Sequence, residues 1–168
     1  MALFPPGKGV GDGVAYSYKG KGVLIHCYTD AEGMPLAPSV TPANADERQD
    51  VLPLLDSVEV KAGRPGRPPK NVKVLATDKG YDANELRLKV RRRGVRPQMP
   101  KRRRPGVKRC RGRPIQKTVP RFQAERTFSW MQRAFRRIAV RWERKPACFD
   151  GFVKLAVVYM WVRRLLKG

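Results

Sequence analysis

The chain has 168 residues, with 37 Lys or Arg against 14 Asp or Glu and a formal net charge of +23. It is about one domain long and able to bury a core, and its 41% hydrophobic content argues against wholesale disorder. A charge of this size implies a polyanionic partner, with DNA or RNA foremost. Cys27, Cys110 and Cys148 form no CxxC pair and His26 has no partner at metal-ligand spacing, which argues against a zinc finger. The odd cysteine count and the lack of a signal-peptide pattern suggest a reducing interior, as in the cytoplasm. The most apolar run, 152–162, contains Lys154 and is shorter than the ~20 residues a bilayer requires, so no membrane partner is expected.

Charge is unevenly distributed. Residues 1–60 hold four basic against eight acidic side chains, and residues 61–168 hold 33 against six. The boundary, "KAGRPGRPPKN" (61–71), is a basic loop by its Pro and Gly content. Before it, "GKGVGDG" (7–13) lacks a preceding strand and reads as a flexible loop rather than a phosphate cradle. "GVLIHCYTD" (22–30) and "MPLAPSVTP" (34–42) read as a hairpin around 31–33, with His26 packed inside its first strand. Residues 43–58 read as an amphipathic helix starting at Asn44 and weakened by Pro53.

In the basic half, "NVKVLATD" (71–78) is a strand with Val72, Val74 and Ala76 on one side, expected beside the hairpin in one mixed sheet. Gly80 allows a sharp exit, and Asp82 is placed to cap a helix over 83–93. Residues 94–100 make at most a short edge strand, because Pro97 lacks a donor. A second basic Pro- and Gly-rich loop (100–119) follows, without an acid from 101 to 117. A helix over 121–137 stacks Phe128, Met131 and Phe135, and 147–166 is a closing helix apolar nearly all round, hence expected to be buried.

Two acids stand out. Asp78 ends a strand, where functional groups concentrate in helix-flanked sheets. Glu125 is the one acid on an arginine-rich helix, although a salt bridge to Arg121 would also explain it. Isolated carboxylates on a basic surface suit a metal-dependent enzyme acting on DNA, in which oxygen ligands hold Mg²⁺ (or Mn²⁺).

Four stretches carry a family resemblance: "KGVLIHCYTDAEGMPLAPSVTPANADE" (21–47), "LATDKGYDANELR" (75–87), "RFQAERTFSWMQRAFRRIAVRWER" (121–144) and "FDGFVKLAVVYMWVRRLL" (149–166). Together, in this order, they resemble the catalytic part of bacterial insertion-sequence transposases of the DDE class. The resemblance implies a single α/β domain over 1–168 of ribonuclease H-like fold, a mixed sheet flanked by helices. It implies Asp78 and Glu125 as second and third catalytic, metal-holding acids. It also implies Mg²⁺ or Mn²⁺ as cofactor, transposon-end DNA as partner, and leaves a homodimer open. Arg121 matches the arginine of the family's Y-x2-R-x3-E-x6-K signature, whereas Thr118 and Gln132 depart from its tyrosine and lysine. Lys101, Arg102, Arg103, Arg104, Arg126, Arg133, Arg136 and Arg137 are the other expected DNA contacts. Aligning Phe4 on the family's aromatic position puts the first catalytic aspartate at about Met1, so that acid is expected to be missing, the fold to be incomplete at its amino terminus, and the chain to bind DNA without cleaving transposon ends at a useful rate. Asp12 and Asp30 are the early acids that remain. A catalytically dead DNA-binding remnant and a small basic RNA- or ribosome-binding protein stay open as alternatives.

Overall fold

A computed structural model describes residues 2–8, 11–58, 72–102, 106 and 122–167, without the side chain of Phe122. The loop 61–71 and most of 100–119, with Arg103, Arg104 and Arg121, lie outside the described residues. The chain divides into two compact units, one of Met1–Val58 with Phe122–Gly168 and one of Glu59–Arg121. Elements of both types are present, so the protein is a mixed α/β chain.

The first unit is organised by its long strand β3 (Gly20–Thr29). Antiparallel to one edge of it lies β1 (Ala2–Leu3); β2 (Ala15–Ser17) and β4 (Pro35–Pro42) pair end to end along the other edge. The expected hairpin is therefore present, with Ile25 opposite Val40 and His26 opposite Ser39. Three prolines in β4 lack amide donors, which an edge strand tolerates. Strand alternation sends Val23, Ile25 and Cys27 to one face, where they meet Phe128, Met131, Ile138, Phe149, Val153, Ala156 and Val157. Leu24 and His26 are buried as well. Helix α1 (Val51–Ser57) packs on β3 and β4 and buries Leu54 and Leu55. His26 Nε2 lies 2.7 Å from Thr41 Oγ1, so it is a packed structural histidine. Burial holds its pKa below the ordinary imidazole value and pushes the Cys27 thiol up to about 12.

Three helices complete this unit: α3 (Phe122–Ala134), α4 (Arg136–Ala139) and α5 (Pro146–Lys167). Several expectations need correction. The helix expected over 43–58 starts only at Val51, because turns closed by Ala45 N–H to Pro42 O and Gln49 N–H to Asp46 O occupy the approach. Pro53 then sits in the first turn, where its missing donor costs nothing. The helix expected over 121–137 is interrupted at Phe135, whose backbone is extended at φ −129° and ψ 90°. The closing helix is buried along one stripe only: Leu155, Val158, Tyr159, Val162, Leu165 and Leu166 are exposed. Gly7 and Lys8, in the segment expected to be flexible, donate to Lys21 O and Arg141 O.

The second unit is a strand–helix–strand motif. β5 (Val74–Ala76) and β6 (Arg96–Gln98) are parallel, connected through α2 (Asn84–Arg92). Among the described residues the hydrogen-bonded neighbour of β5 is β6, rather than the hairpin. Leu75 and Thr77 are the buried positions here, and Val72, Val74 and Ala76 are half-buried, the reverse of the face expected. Leu86 and Val90 are the buried stripe of α2. Gly94, at φ +77°, ends that helix, and the Val95 N–H returns to Val90 O. Gly80 is a further correction: its φ is not in the left-handed region and a Cβ would meet nothing within 4 Å.

Asp82 does not cap α2; the N-cap position is Ala83, which makes no side-chain cap bond. Its carboxylate accepts from Arg87 Nη2 at 2.6 Å and from the Arg102 N–H at 2.6 Å, while Arg87 Nη2 also donates to Met99 O at 2.8 Å. This hub ties α2 to the exit from β6. Burial alone would raise the Asp82 pKa; the Arg102 N–H and Arg87 guanidinium outweigh it, and the carboxyl lies below its usual range. A lowered native pKa stabilises the fold above the unfolded value near ~3.9, and that stability disappears as pH falls through the native value. Asp82→Asn should therefore destabilise by about 1.5–3 kcal/mol at neutral pH. In urea unfolding, the gap to the parent chain should close as pH falls below about 4.

Candidate active site and nucleic-acid interface

Asp78 lies one residue beyond β5, after Thr77. Thr77 N–H continues the ladder to Gln98 O at 3.2 Å, so Asp78 stands at the carboxyl end of a parallel pair of strands. In open α/β sheets ligands bind in the crevices outside the carboxyl ends of the strands. The residue is half-buried. Its extended backbone (φ −76°, ψ 166°) places the side chain to accept from the Lys79 N–H at 2.7 Å, at the start of a 3₁₀ turn, Lys79–Tyr81. Asp78 thus caps this 3₁₀ turn, while α2 starts without a side-chain cap.

Glu125 lies in the first turn of α3 and is exposed. A negative charge there is favoured by the helix dipole. Its position is fixed by its neighbours. Arg126 Nη2 donates to Glu32 O at 2.8 Å, and the buried Thr127 hydroxyl contacts Gly33 O, with Gln123 O at 2.9 Å. Both bonds fasten the helix to the hairpin turn at 30–33. Gly33 is at φ +87° and a Cβ would lie 3.0 Å from Gln123 O, so this close approach requires glycine. Arg164 of α5 forms an ion pair with Glu32.

The expected DNA contacts divide into two groups. Lys101, Arg102, Arg133, Arg136 and Arg137 are exposed. Arg137 stands over Phe152 at 5.5 Å and 3.7 Å from the Glu143 carboxylate. Arg126, also exposed, stacks over Trp130 at 4.8 Å while holding the turn. Asp30 Oδ1 accepts from the Glu32 and Met34 N–H groups and so closes the hairpin turn. Asp12 is exposed. The sequence reading missed Arg141. It is buried, and its guanidinium donates to Glu143 O at 3.0 Å, Asp12 O at 2.6 Å and Arg144 O at 3.3 Å. A fully buried arginine among many exposed ones carries no sequence signature.

A family model for the transposase DDE domain matches residues 7–161. The chain belongs to the DDE transposase family. It is 36% identical over 130 residues to the transposase assigned to insertion sequence element IS402 of Burkholderia cepacia. It is 32% identical over 124 residues to the transposase for insertion sequence element IS1106 of Neisseria meningitidis serogroup B. These matches cover 77% and 68% of this chain and span 58% and 37% of the two relatives. No solved structure matches the chain. Asp78 and Glu125 both fall inside the matched range, in different units of the fold. Among the described residues no three His, Cys, Asp or Glu side chains cluster as a metal site, and no helix is long and apolar enough to cross a membrane.

The local role of Asp78 can be separated from any chemical one. Asn keeps an acceptor for the Lys79 N–H, so Asp78→Asn should be less destabilising than Asp78→Ala, which loses that bond at a cost of about 1 kcal/mol. Thermal unfolding of the two variants checks this.

Proposed function

We propose that this DDE-family chain binds the DNA ends of an insertion sequence and takes part in cutting and joining them by divalent-metal-dependent phosphoryl transfer, on a ribonuclease H-like fold. The observation that carries the reading is the position of Asp78 at the carboxyl end of β5, inside the family match. The resemblance makes it the second acid of the triad and Glu125 the third.

The donor chemistry fits. Carboxylate oxygens suit Mg²⁺ or Mn²⁺, and Asp78 and Glu125 are the residues that would hold the ion. When bound, such an ion supplies Lewis-acid charge at phosphorus and lowers the pKa of an attacking water or hydroxyl. The chain's own residues do the rest. The Lys79 N–H fixes one oxygen of Asp78. The clasp of Arg126 and Thr127 on the hairpin turn fixes the backbone that carries Glu125. Exposed Arg133 and Arg136, with Lys101 and Arg102, supply positive charge for phosphates. By the resemblance Arg103, Arg104 and Arg121 are further phosphate contacts, and the 63-residue segment 59–121 holds 22 basic against four acidic side chains.

Strand cleavage with Mg²⁺ or Mn²⁺ on DNA carrying the element's ends tests the assignment. In a chain that also carries the family's first aspartate, Asp78→Asn and Glu125→Gln should each lower the rate on the order of a thousandfold or more while DNA affinity persists. A variant that cleaves within about tenfold of the parent would remove that acid from the mechanism. Replacing Lys101, Arg102, Arg103 and Arg104 together by Ala should flatten the salt dependence of binding, by about 0.9 in the log–log slope for each phosphate no longer neutralised. An unchanged slope would take the loop off the binding surface.

A further inference from the structure

Helix α5 has two apolar sides, and the fold covers one of them. Phe149, Val153, Ala156 and Val157 are buried in the core of the first unit; Trp161, packed against that core, donates from Nε1 to Pro35 O at 2.6 Å. The other side consists of Leu155, Val158, Tyr159, Val162, Leu165 and Leu166. All six are exposed, Leu165 at 75% and Leu166 at 82%. Their spacing of three and four residues sets them within about a third of the helix circumference, along about 17 Å of its length. Lys154, Arg163, Arg164 and Lys167 fall outside this stripe, so it carries no charge. Tyr159 is held at its border, edge-on to the Phe135 ring at 5.4 Å.

At these exposures the six side chains present on the order of 700 Å², above the few hundred Å² of a typical monomer's largest apolar patch and close to the ~800 Å² that each partner brings to a standard stable interface. Residues 59–71 and 107–121, rich in Arg, Lys, Pro and Gly, offer no run of apolar side chains to cover it.

The layout of the stripe suits a second copy of itself. Leucines stand at both ends and Val158, Tyr159 and Val162 between them. Turned end for end, Leu155 meets Leu166 of a second copy and Tyr159 meets Val162. Charge selects the same direction. The last turns carry Arg163, Arg164 and Lys167, and the one acid of the helix, Asp150, is in its second turn. A parallel pair would set the three cations beside their own copies and align the helix dipoles; an antiparallel pair separates the cations and opposes the dipoles. Lys154, which then faces Lys167 of the copy, is already paired with Asp150 at 2.6 Å, and Arg164 is paired with Glu32. We infer that two copies of this chain associate through α5, antiparallel about a two-fold axis at the level of Met160 and Trp161, as an isologous dimer. The inference uses neither proposed metal-holding acid and stands apart from the DNA reading.

Sedimentation equilibrium of the whole chain, freed of nucleic acid by nuclease, tests it. The parent should be dimeric, and more firmly so as salt rises, because salt screens the like charges of two +23 chains while apolar contact persists. Val158→Glu and Leu166→Glu should each raise the dimer dissociation constant on the order of a hundredfold, with an unchanged circular dichroism spectrum. Both side chains are exposed in the single chain, so neither change removes core packing. In a Cys110→Ser, Cys148→Ser background, Leu155→Cys mixed with Leu166→Cys should cross-link on oxidation. Leu155→Cys alone should not, since its copy would stand about 16 Å along the helix, beyond the ~7 Å Cα separation a disulfide can bridge. A parent that is monomeric at every salt concentration would overturn the dimer; slow maleimide labelling of Leu155→Cys in that monomer would place another segment of the chain on the stripe. A dimer that both Glu variants leave intact would overturn the assignment to α5. Cross-linking of Leu155→Cys to its own copy would overturn the antiparallel arrangement.

Discussion

Burial of β3 on both faces is the constraint on which the first unit depends. Gly22–Cys27 are six consecutive buried residues, a run without the polar alternation of a strand that has one wet face. Val23, Ile25 and Cys27 seat α3 and α5, while Leu24 and His26 fill the opposite side. A one-residue slip would exchange the two sets, so the registers with β1, β2 and β4 are fixed together. From that frame follow the turn at 30–33, the clasp of α3 upon it and the position of Glu125.

The second unit solves a smaller problem with a different device. Its two short parallel strands bury little, and the Asp82–Arg87 pair with its bonds to Met99 O and the Arg102 N–H supplies specific closure. Such a charge-assisted hub gives direction to a junction that apolar contact alone would leave loose. It also stands beside the segment of Asp78. One acid of "TDKGYD" therefore organises the motif, while the other caps a turn at the strand end.

Legibility followed the range of the determining interaction. The β3–β4 hairpin was readable because apolar strands flanked a Gly-containing turn, and α2 because Leu86 and Val90 recur at helical spacing. The two acids could be singled out as isolated negative charges among cations. Long-range partners were not legible. Asp82 precedes a helix and so looks like a cap, yet Arg102, twenty positions later, captures it. The late start of α1 depends on turns at Ala45 and Gln49 that compete with the helix. The six exposed apolar residues of α5 show that composition identifies an apolar helix without indicating how many of its sides are covered. Arg141 looks like any other arginine until its carbonyl partners, one of them 129 positions away, are seen.

In the proposed function Asp78 and Glu125 are both ligands of the divalent ion. The most direct measurement replaces Mg²⁺ with Fe²⁺ and maps where ascorbate and peroxide cut the polypeptide, since hydroxyl radicals act close to the bound iron. The expected pattern is cleavage near residue 78 and near residue 125, suppressed by excess Mg²⁺ and lost at both places in either Asp78→Asn or Glu125→Gln. Cleavage near only one acid, or a cut at one that persists when the other is replaced, would contradict the account.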